Sequence, residues 1–141
     1  MKLSELMTTN VEVCNPESSL TEVAGKMKEL NVGVMPICEQ DKLVGVVTDR
    51  DLVINGLANE LEAKAQVSQV MSESLVTGHK EMSVKEAADL MAEHQIRRLP
   101  IVEDERLVGI VSLGDLAVNQ ETNDDAGQAL EQISAPTQSM Q

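Results

Sequence analysis

The sequence predicts an α+β protein made of two similar halves, and two observations support this. When the chain is shifted against itself by 64 residues, residues 3–52 align with residues 67–116 without a gap, and 17 of the 50 aligned positions are identical. Each half also repeats one order of polar and apolar segments, which predicts strand, helix, strand, strand and helix. A duplication of this size predicts two β-α-β-β-α half-domains packed about a pseudo-two-fold axis.

Each repeat begins with a predicted strand and a predicted helix. Short apolar stretches predict strands at residues 11–14 and 75–78. Ser19 and Ser83 are each followed three positions later by Glu, which is the spacing of a capping box at a helix N-terminus. Apolar residues recur at helical spacing behind both serines, so a helix is predicted there in each repeat.

Each repeat ends with a predicted hairpin and a second helix. Two short apolar runs follow each first helix, and a polar turn separates the two runs, which indicates a β-hairpin. The runs are residues 35–38 and 43–47, and residues 99–102 and 107–111. The second helix is predicted after Thr48 in one repeat and after Ser112 in the other.

The chain is predicted to consist of two repeats and a tail. Residues 1–60 and 61–120 are the repeats, and residues 121–141 are a tail richer in Gln, Asn, Thr, Ser and Asp. The tail residues that keep helical spacing are Ala126, Ala129, Leu130 and Ile133. They predict a short C-terminal helix, after which residues 135–141 are expected to form a loose end.

Composition and charge narrow the range of partners. The chain has no Phe, Trp or Tyr, which rules out aromatic cages for quaternary amines and aromatic platforms for bases. Its formal net charge of −13 repels nucleic acid and anionic membranes, so neither is an expected partner. No apolar run approaches the roughly 18 residues of a membrane span and no apolar signal core opens the chain, so a cytoplasmic location is expected.

Several short motifs resemble the CBS domain, the regulatory repeat named after cystathionine β-synthase. Residues 45–52, GVVTDRDL, and residues 109–116, GIVSLGDL, look like its ending. Residues 96–102, IRRLPIV, are similar to its second conserved block, and residues 70–72, VMS, look like its start. The resemblance covers the chain from its first residue to about residue 120 in two copies, and it is closest to small stand-alone bacterial proteins made of one CBS pair.

The resemblance implies a regulatory module and not an enzyme. Two clefts would bind adenosine-containing ligands such as AMP, ADP, ATP, S-adenosylmethionine or NAD-like compounds, with no catalytic cofactor and no catalytic residue. Two modules would stack as a homodimer and regulate another protein, which the sequence does not identify.

The resemblance also implies three groups of ligand contacts. The ribose-binding residues would be Asp51 and Asp115. The phosphate-binding residues would be Thr48, Arg50, Arg97, Arg98 and Ser112. The adenine pocket would contain Val11, Val32, Pro36, Ile96 and Pro100.

The two hydroxyl-and-carboxylate motifs also have a purely structural interpretation. Thr48-x-x-Asp51 and Ser112-x-x-Asp115 have the spacing of capping boxes, and an acidic residue in the first turn suits the helix dipole. Capping and ligand binding are compatible at different times, so both interpretations stay open.

The arginines near the second motif have two interpretations as well. Arg97 and Arg98 would bind phosphate, because a guanidinium group matches phosphate bidentately. Alternatively they pair with the abundant surface carboxylates. The first repeat has Gly33 and Val34 at the matching places, so we expect unequal sites. The sequence does not show which cleft the two arginines face.

The cysteines and histidines give weaker signals. Cys14 and Cys38 fall in strands that the β-α-β order could bring side by side, but a disulfide requires Cα atoms within about 7 Å. A reducing compartment favours free thiols, and the disulfide stays open. His94 is expected to be half-buried at a helix end, with a pH or ligand sensor as the alternative. No Cys/His cluster has zinc spacing, so no metal site is expected.

These residues bear on three classes of function. An enzyme is disfavoured because no nucleophile with a base and no Gly-rich phosphate loop is found. Asp49 and Asp51 are two positions apart, so they point apart on a helix and do not form a carboxylate pair. The preferred class is a nucleotide-sensing regulatory module, and the alternative is a structural or partner-binding module with vestigial clefts.

Overall fold

The computed structural model of the chain describes residues 2–117 and Ile133, and it confirms the α+β class. The helices are α1 (Leu20–Leu30), α2 (Asp49–Asp51), which continues as a π-helical stretch (Leu52–Leu57), α3 (Val84–His94) and α4 (Leu113–Ala117). The strands are β1 (Val34–Glu39), β2 (Lys42–Thr48), β3 (Arg98–Glu103) and β4 (Arg106–Ser112). Short 3₁₀ turns lie at Leu3–Glu5 and Val67–Gln69. The predicted C-terminal helix and loose end lie outside the described residues, Ile133 excepted.

Both predicted hairpins are present. The strands form an antiparallel sheet in the order β1, β2, β4, β3, and β2 meets β4 through the pair of Lys42 with Arg106. Each hairpin turn has two consecutive residues with positive φ, which is the geometry of the tight turns that match strand twist. These residues are Gln40, Asp41, Asp104 and Glu105. The polar turns predicted from the sequence are therefore confirmed.

The prediction of two opening strands is wrong, because each of these stretches forms only a single β-bridge. Cys14 bridges to Ile37, and Gly78 bridges in the same parallel way to Ile101. The Cys14 amide donates to the Pro36 carbonyl at 3.1 Å, and the Cys14 carbonyl accepts from the Cys38 amide at 2.8 Å. The backbone pairing is therefore limited to one residue in each stretch, and no ladder forms there.

The predicted caps of the first helices are formed, one fully and one by half. The Ser83 hydroxyl accepts from the Glu86 amide at 3.1 Å, and the Glu86 carboxylate accepts from the Ser83 amide at 3.5 Å. The Ser19 hydroxyl likewise accepts from the Glu22 amide at 3.1 Å. Among the described residues Glu22 makes no return bond, and Ser19 instead bridges to Gln66.

The apolar stripes of α1 and α3 end one turn before the helices do. Met27 and Met91 are buried, as predicted, but Leu30 and His94 at the last positions are exposed. The expectation of a half-buried His94 is therefore wrong, because the helix has already turned away from the core at that point.

The chain divides into two compact units, and each unit combines the opening segment of one repeat with the body of the other. Among the described residues, unit 1 contains residues 2–11, Val76–Asp104, residues 108–117 and Ile133, and unit 2 contains Glu12–Leu75 and Glu105–Leu107. The opening of the first repeat therefore packs with the body of the second repeat, and the opening of the second repeat packs with the body of the first.

Each unit has its own apolar core. In unit 1 the fully buried Leu3, from the exchanged opening segment, packs with residues of α3, β3 and β4, and Ile133 lies against the same cluster. In unit 2 the matching residue Val67 packs with residues of α1, β1 and β2. No described helix is long and apolar enough to cross a membrane.

Candidate functional site

In unit 2, the candidate site begins where β2 ends and α2 starts. Thr48 and Asp51 form a complete capping box. The Thr48 hydroxyl accepts from the Asp51 amide at 3.1 Å, and Asp51 Oδ2 accepts from the Thr48 amide at 2.9 Å. Both residues are half-buried, so the box reaches solvent.

Unit 1 has the same arrangement where β4 ends and α4 starts. The Ser112 hydroxyl accepts from the Asp115 amide at 3.1 Å, and Asp115 Oδ2 accepts from the Ser112 amide at 3.0 Å. The capping interpretation is therefore confirmed for both motifs.

Each cap occupies only one oxygen of its carboxylate. Asp51 Oδ1 accepts one long bond, at 3.4 Å, from the Asn55 amide group. Within the described part of the chain, Asp115 Oδ1 accepts no hydrogen bond, and the carboxylate is half-buried. One oxygen thus fixes the helix start while the other stays able to accept from a ligand hydroxyl, so the two roles do not compete.

The exchanged opening segments run beside both boxes. Val46 and Ser72 exchange two backbone hydrogen bonds, at 3.0 and 2.8 Å. Thr8 and Ile110 do the same at 2.8 and 2.9 Å. Each box therefore starts two residues after a bridge to the opening segment of the other repeat, a neighbour that the sequence did not reveal.

Gly45 and Gly109 permit this close approach. A Cβ atom at position 45 or 109 would lie 2.7 Å from the sulfur of Met71 or Met7, respectively. It would also lie 3.1 or 3.0 Å from the carbonyl oxygen of the residue after that methionine. Glycine is favoured here, because a Cβ atom would crowd a backbone carbonyl, which yields less easily than the methionine side chain.

The loop before each hairpin is tied to the first residue of the following helix. The Asp49 amide donates to the Gly33 carbonyl at 2.9 Å, and the Leu113 amide donates to the Arg97 carbonyl at 3.0 Å. Arg97 and its neighbour Arg98 therefore lie in the unit that contains the second box.

None of the ion pairs among residues 2–117 involves an arginine. The five pairs found there all use lysines. Arg50 and Arg97 are exposed and Arg98 is half-buried. Within these residues, the pairing with surface carboxylates that the sequence offered as the alternative is not formed.

The five residues predicted for the adenine pocket are divided between the units. Unit 2 contains Val32 and Pro36, and unit 1 contains Val11, Ile96 and Pro100. The two prolines are buried in β1 and β3, whereas the other three residues are half-buried. Their contact with a base stays a prediction.

Asp49 is a feature of the site that the sequence analysis missed. Its Oδ1 accepts from the Arg50 amide at 2.8 Å, and its Oδ2 lies 3.2 Å from the place of a Cβ atom on Gly33. The second repeat has Leu113 and Arg97 at these two positions. The sequence signal that could have revealed it is that both residues differ between the two repeats.

The cysteines are free and buried, which agrees with the favoured interpretation. Burial raises the pKa of both thiols, and it raises that of Cys38 to about 11. Thiols of this kind are poor nucleophiles near neutral pH. Among the described residues, no group of three His, Cys, Asp or Glu side chains is placed to hold a metal ion.

Comparison with known sequences identifies relatives over most of the chain. The family model for the CBS domain matches residues 3–56 and 67–120. The CBS domain-containing protein YhcV of Bacillus subtilis is 49% identical over 132 residues, which are 94% of each chain. Hypoxic response protein 1 of Mycobacterium tuberculosis is 37% identical over 115 residues, which are 80% of each chain.

Solved structures share the fold. The crystal structure of Hypoxic Response Protein I, with two coordinated zinc ions, has a TM-score of 0.76 at 36% identity and covers 83% of this chain and 97% of its own. The CBS domain pair of protein MJ0100, in complex with 5′-methylthioadenosine and S-adenosyl-L-methionine, has a TM-score of 0.74 at 25% identity and covers 83% and 93%. The resemblance of the motifs is thereby confirmed, and the chain belongs to the CBS-domain family as a tandem pair of CBS domains.

Proposed function

We propose that this CBS pair is a non-catalytic regulatory module that binds an adenosine-containing ligand beside each capping box. The supporting observation is that the two oxygens of the Asp51 and Asp115 carboxylates have different surroundings. One oxygen holds the helix start, and the other is left to accept from a ribose hydroxyl. A carboxylate held by a backbone amide is already oriented, so binding loses little side-chain freedom.

The relatives support an adenosyl ligand. The MJ0100 pair binds two such compounds, one with a sulfonium group and one without charge on its 5′ substituent. For this chain, AMP, ADP, ATP, S-adenosylmethionine and NAD-like compounds are all candidates.

The remaining proposed contacts are those to the 5′ substituent and to the adenine base of the ligand. Ser112, Arg97 and Arg98 in unit 1 would contact a 5′ phosphate, and Thr48 and Arg50 are the residues of unit 2 that would face the 5′ substituent of its ligand. The half-buried Val11, Val32 and Ile96 offer apolar surface to adenine. Pro36 and Pro100 would contribute to that pocket from within the sheet.

We further propose that the module is a cytoplasmic homodimer in which residues 1–60 and 61–120 act as paired repeats and residues 121–141 as a tail. The support is a set of exposed large apolar side chains on α1 and the π-helical stretch of unit 2. These residues are Leu30, Val53, Ile54 and Leu57. Large apolar side chains in water favour a covering partner. The protein that the module regulates stays unidentified.

The second candidate is a structural or partner-binding module whose ligand sites are vestigial. The complete capping boxes favour it, because they explain Thr48, Asp51, Ser112 and Asp115 without any ligand.

A thermal-shift screen separates the two candidates. A ligand at a hundredfold excess over its Kd stabilises the folded protein by about 2.7 kcal/mol. We expect at least one of adenosine, AMP, ATP and S-adenosylmethionine to raise the Tm. If none does so at millimolar concentration, the structural candidate is correct.

A further inference from the structure

We propose that Asp49 makes the site in unit 2 selective for an adenosyl compound whose 5′ substituent is uncharged or cationic, and that it disfavours a 5′ phosphate there. This inference rests on the proposed function, since it assigns ligand charge to one of the two proposed sites.

Asp49 is fixed at the start of α2 by two hydrogen bonds. Its amide donates to the Gly33 carbonyl at 2.9 Å, and its Oδ1 accepts from the Arg50 amide at 2.8 Å. The first amides of a helix are the groups that an anion would use. Here the carboxylate of the chain itself already occupies one of them.

The other carboxylate oxygen lies over Gly33. It is 3.2 Å from the position that a Cβ atom on Gly33 would take, so any side chain at residue 33 would have to displace it. The exposed carboxylate of Asp49 therefore lies beside Gly33 in the loop after α1, and no ion pair with a described cation neutralises it.

Arg50 is the neighbouring cation, and it does not reverse this preference. Its side chain is exposed, and none of the five ion pairs among residues 2–117 joins it to Asp49. A free arginine side chain loses rotamer entropy when it binds a phosphate, and such exposed pairs are weak. The Asp49 carboxylate is exposed as well, so salt screens its repulsion, but its hydrogen bond from the Arg50 amide already orients it before a ligand binds.

Summed over the same two positions, unit 1 carries a positive charge where unit 2 carries a negative one. Leu113 replaces Asp49, and Arg97 replaces Gly33. Gly114 follows Leu113, and no acceptor among the described residues is bonded to its amide. The two sites are therefore expected to prefer ligands of different charge.

The test is a pair of NMR titrations with adenosine and with AMP, because backbone amides report each site separately. The Arg50 amide reports unit 2, and the Gly114 amide reports unit 1. Asp49→Asn is the variant, since the amide oxygen still accepts from the Arg50 amide. The control is Asp41→Asn in the β1–β2 turn, which removes the same charge roughly 20 Å along the hairpin.

In the wild type, we expect the Arg50 resonance to report tighter binding of adenosine than of AMP. Asp49→Asn should improve AMP affinity relative to adenosine by about tenfold at this site, which corresponds to about 1.4 kcal/mol. Asp41→Asn, and the Gly114 resonance in either variant, should keep the wild-type ratio within about twofold.

Three results would overturn the inference. If the Arg50 resonance reports AMP as the tighter ligand in the wild type, Arg50 outweighs Asp49. If Asp49→Asn leaves the ratio within about twofold, the carboxylate does not face the 5′ substituent. In both cases the proposed function stands. If adenosine, AMP, ATP and S-adenosylmethionine move neither resonance, the proposed function fails together with the inference.

Discussion

A Cβ atom on Gly109 would lie 2.7 Å from the Met7 sulfur, so the opening segment of the chain packs directly on the backbone of β4. The Thr8 carbonyl, at 3.0 Å from the same point, accepts from the Ile110 amide at 2.9 Å, so moving it away strains that hydrogen bond. Gly109→Ala should therefore destabilise the protein by about 1–3 kcal/mol, which urea denaturation would measure.

Gly25 provides the matched control for this substitution. It lies within α1, and no atom comes within 4 Å of its Cβ position. Gly25→Ala should raise the free energy of unfolding by about 0.5–1 kcal/mol, because alanine is the better helix former. Equal effects of the two substitutions would contradict the close packing described at Gly109.

Arg97→Ala should weaken a nucleotide more than a nucleoside. Charged hydrogen bonds to phosphate contribute about 1.5–3 kcal/mol, and adenosine has no phosphate. Calorimetry with AMP and adenosine measures this, with Arg106→Ala in the β3–β4 turn region as the control. Asp115→Ala should weaken both ligands alike, because ribose is common to them. An AMP affinity within about twofold of wild type in Arg97→Ala would exclude a phosphate contact.

The buried Cys38 thiol should make stability fall at alkaline pH. Its pKa is raised by burial from 9.0 to about 11, so the unfolded chain loses the thiol proton first as the pH rises. Between about pH 9 and pH 11 the folded state binds more protons, and the free energy of unfolding decreases. Valine is the residue that repeat 2 has at the matching position. In Cys38→Val, the free energy of unfolding measured by denaturation should therefore decrease less over this pH range. Parallel curves for both proteins would refute the assignment.

The exposed apolar side chains of unit 2 should form a dimer interface. Leu57 is 73% exposed, and Ile54 one turn earlier is 46% exposed. Sedimentation should show a dimer at tens of micromolar and a monomer for the double variant Ile54→Gln, Leu57→Gln. A wild-type monomer at that concentration would exclude the homodimer.

Local interactions account for what the sequence predicted well. The Ser83, Thr48 and Ser112 caps join residues three positions apart, so the residue pattern alone determines them. The hairpin turns are equally local. The predicted opening strands failed because the length of a ladder depends on the neighbouring strand, and beside Cys14 the backbone contact ends after one residue.

Long-range contacts account for what the sequence did not show. The bridge between Thr8 and Ile110 joins residues near the two ends of the described chain, and the hydrophobic pattern of the sequence does not predict it. The placement of Asp49 over Gly33 depends on a bond between a loop and a helix start. The alignment of the repeats showed that both positions differ, but only the structure shows that they touch.

The central claim is that Asp51 and Asp115 bind the ribose of an adenosyl ligand, and calorimetry of one double variant tests it most directly. In Asp51→Asn, Asp115→Asn the amide oxygens can still accept from the Thr48 and Ser112 amides, so the caps and the fold should survive, as circular dichroism would show. We expect adenosine, AMP or S-adenosylmethionine to bind the wild type and to lose at least about tenfold in affinity for the double variant. Unchanged affinity in a folded double variant, or no binding of any of the three compounds to the wild type, would contradict the claim.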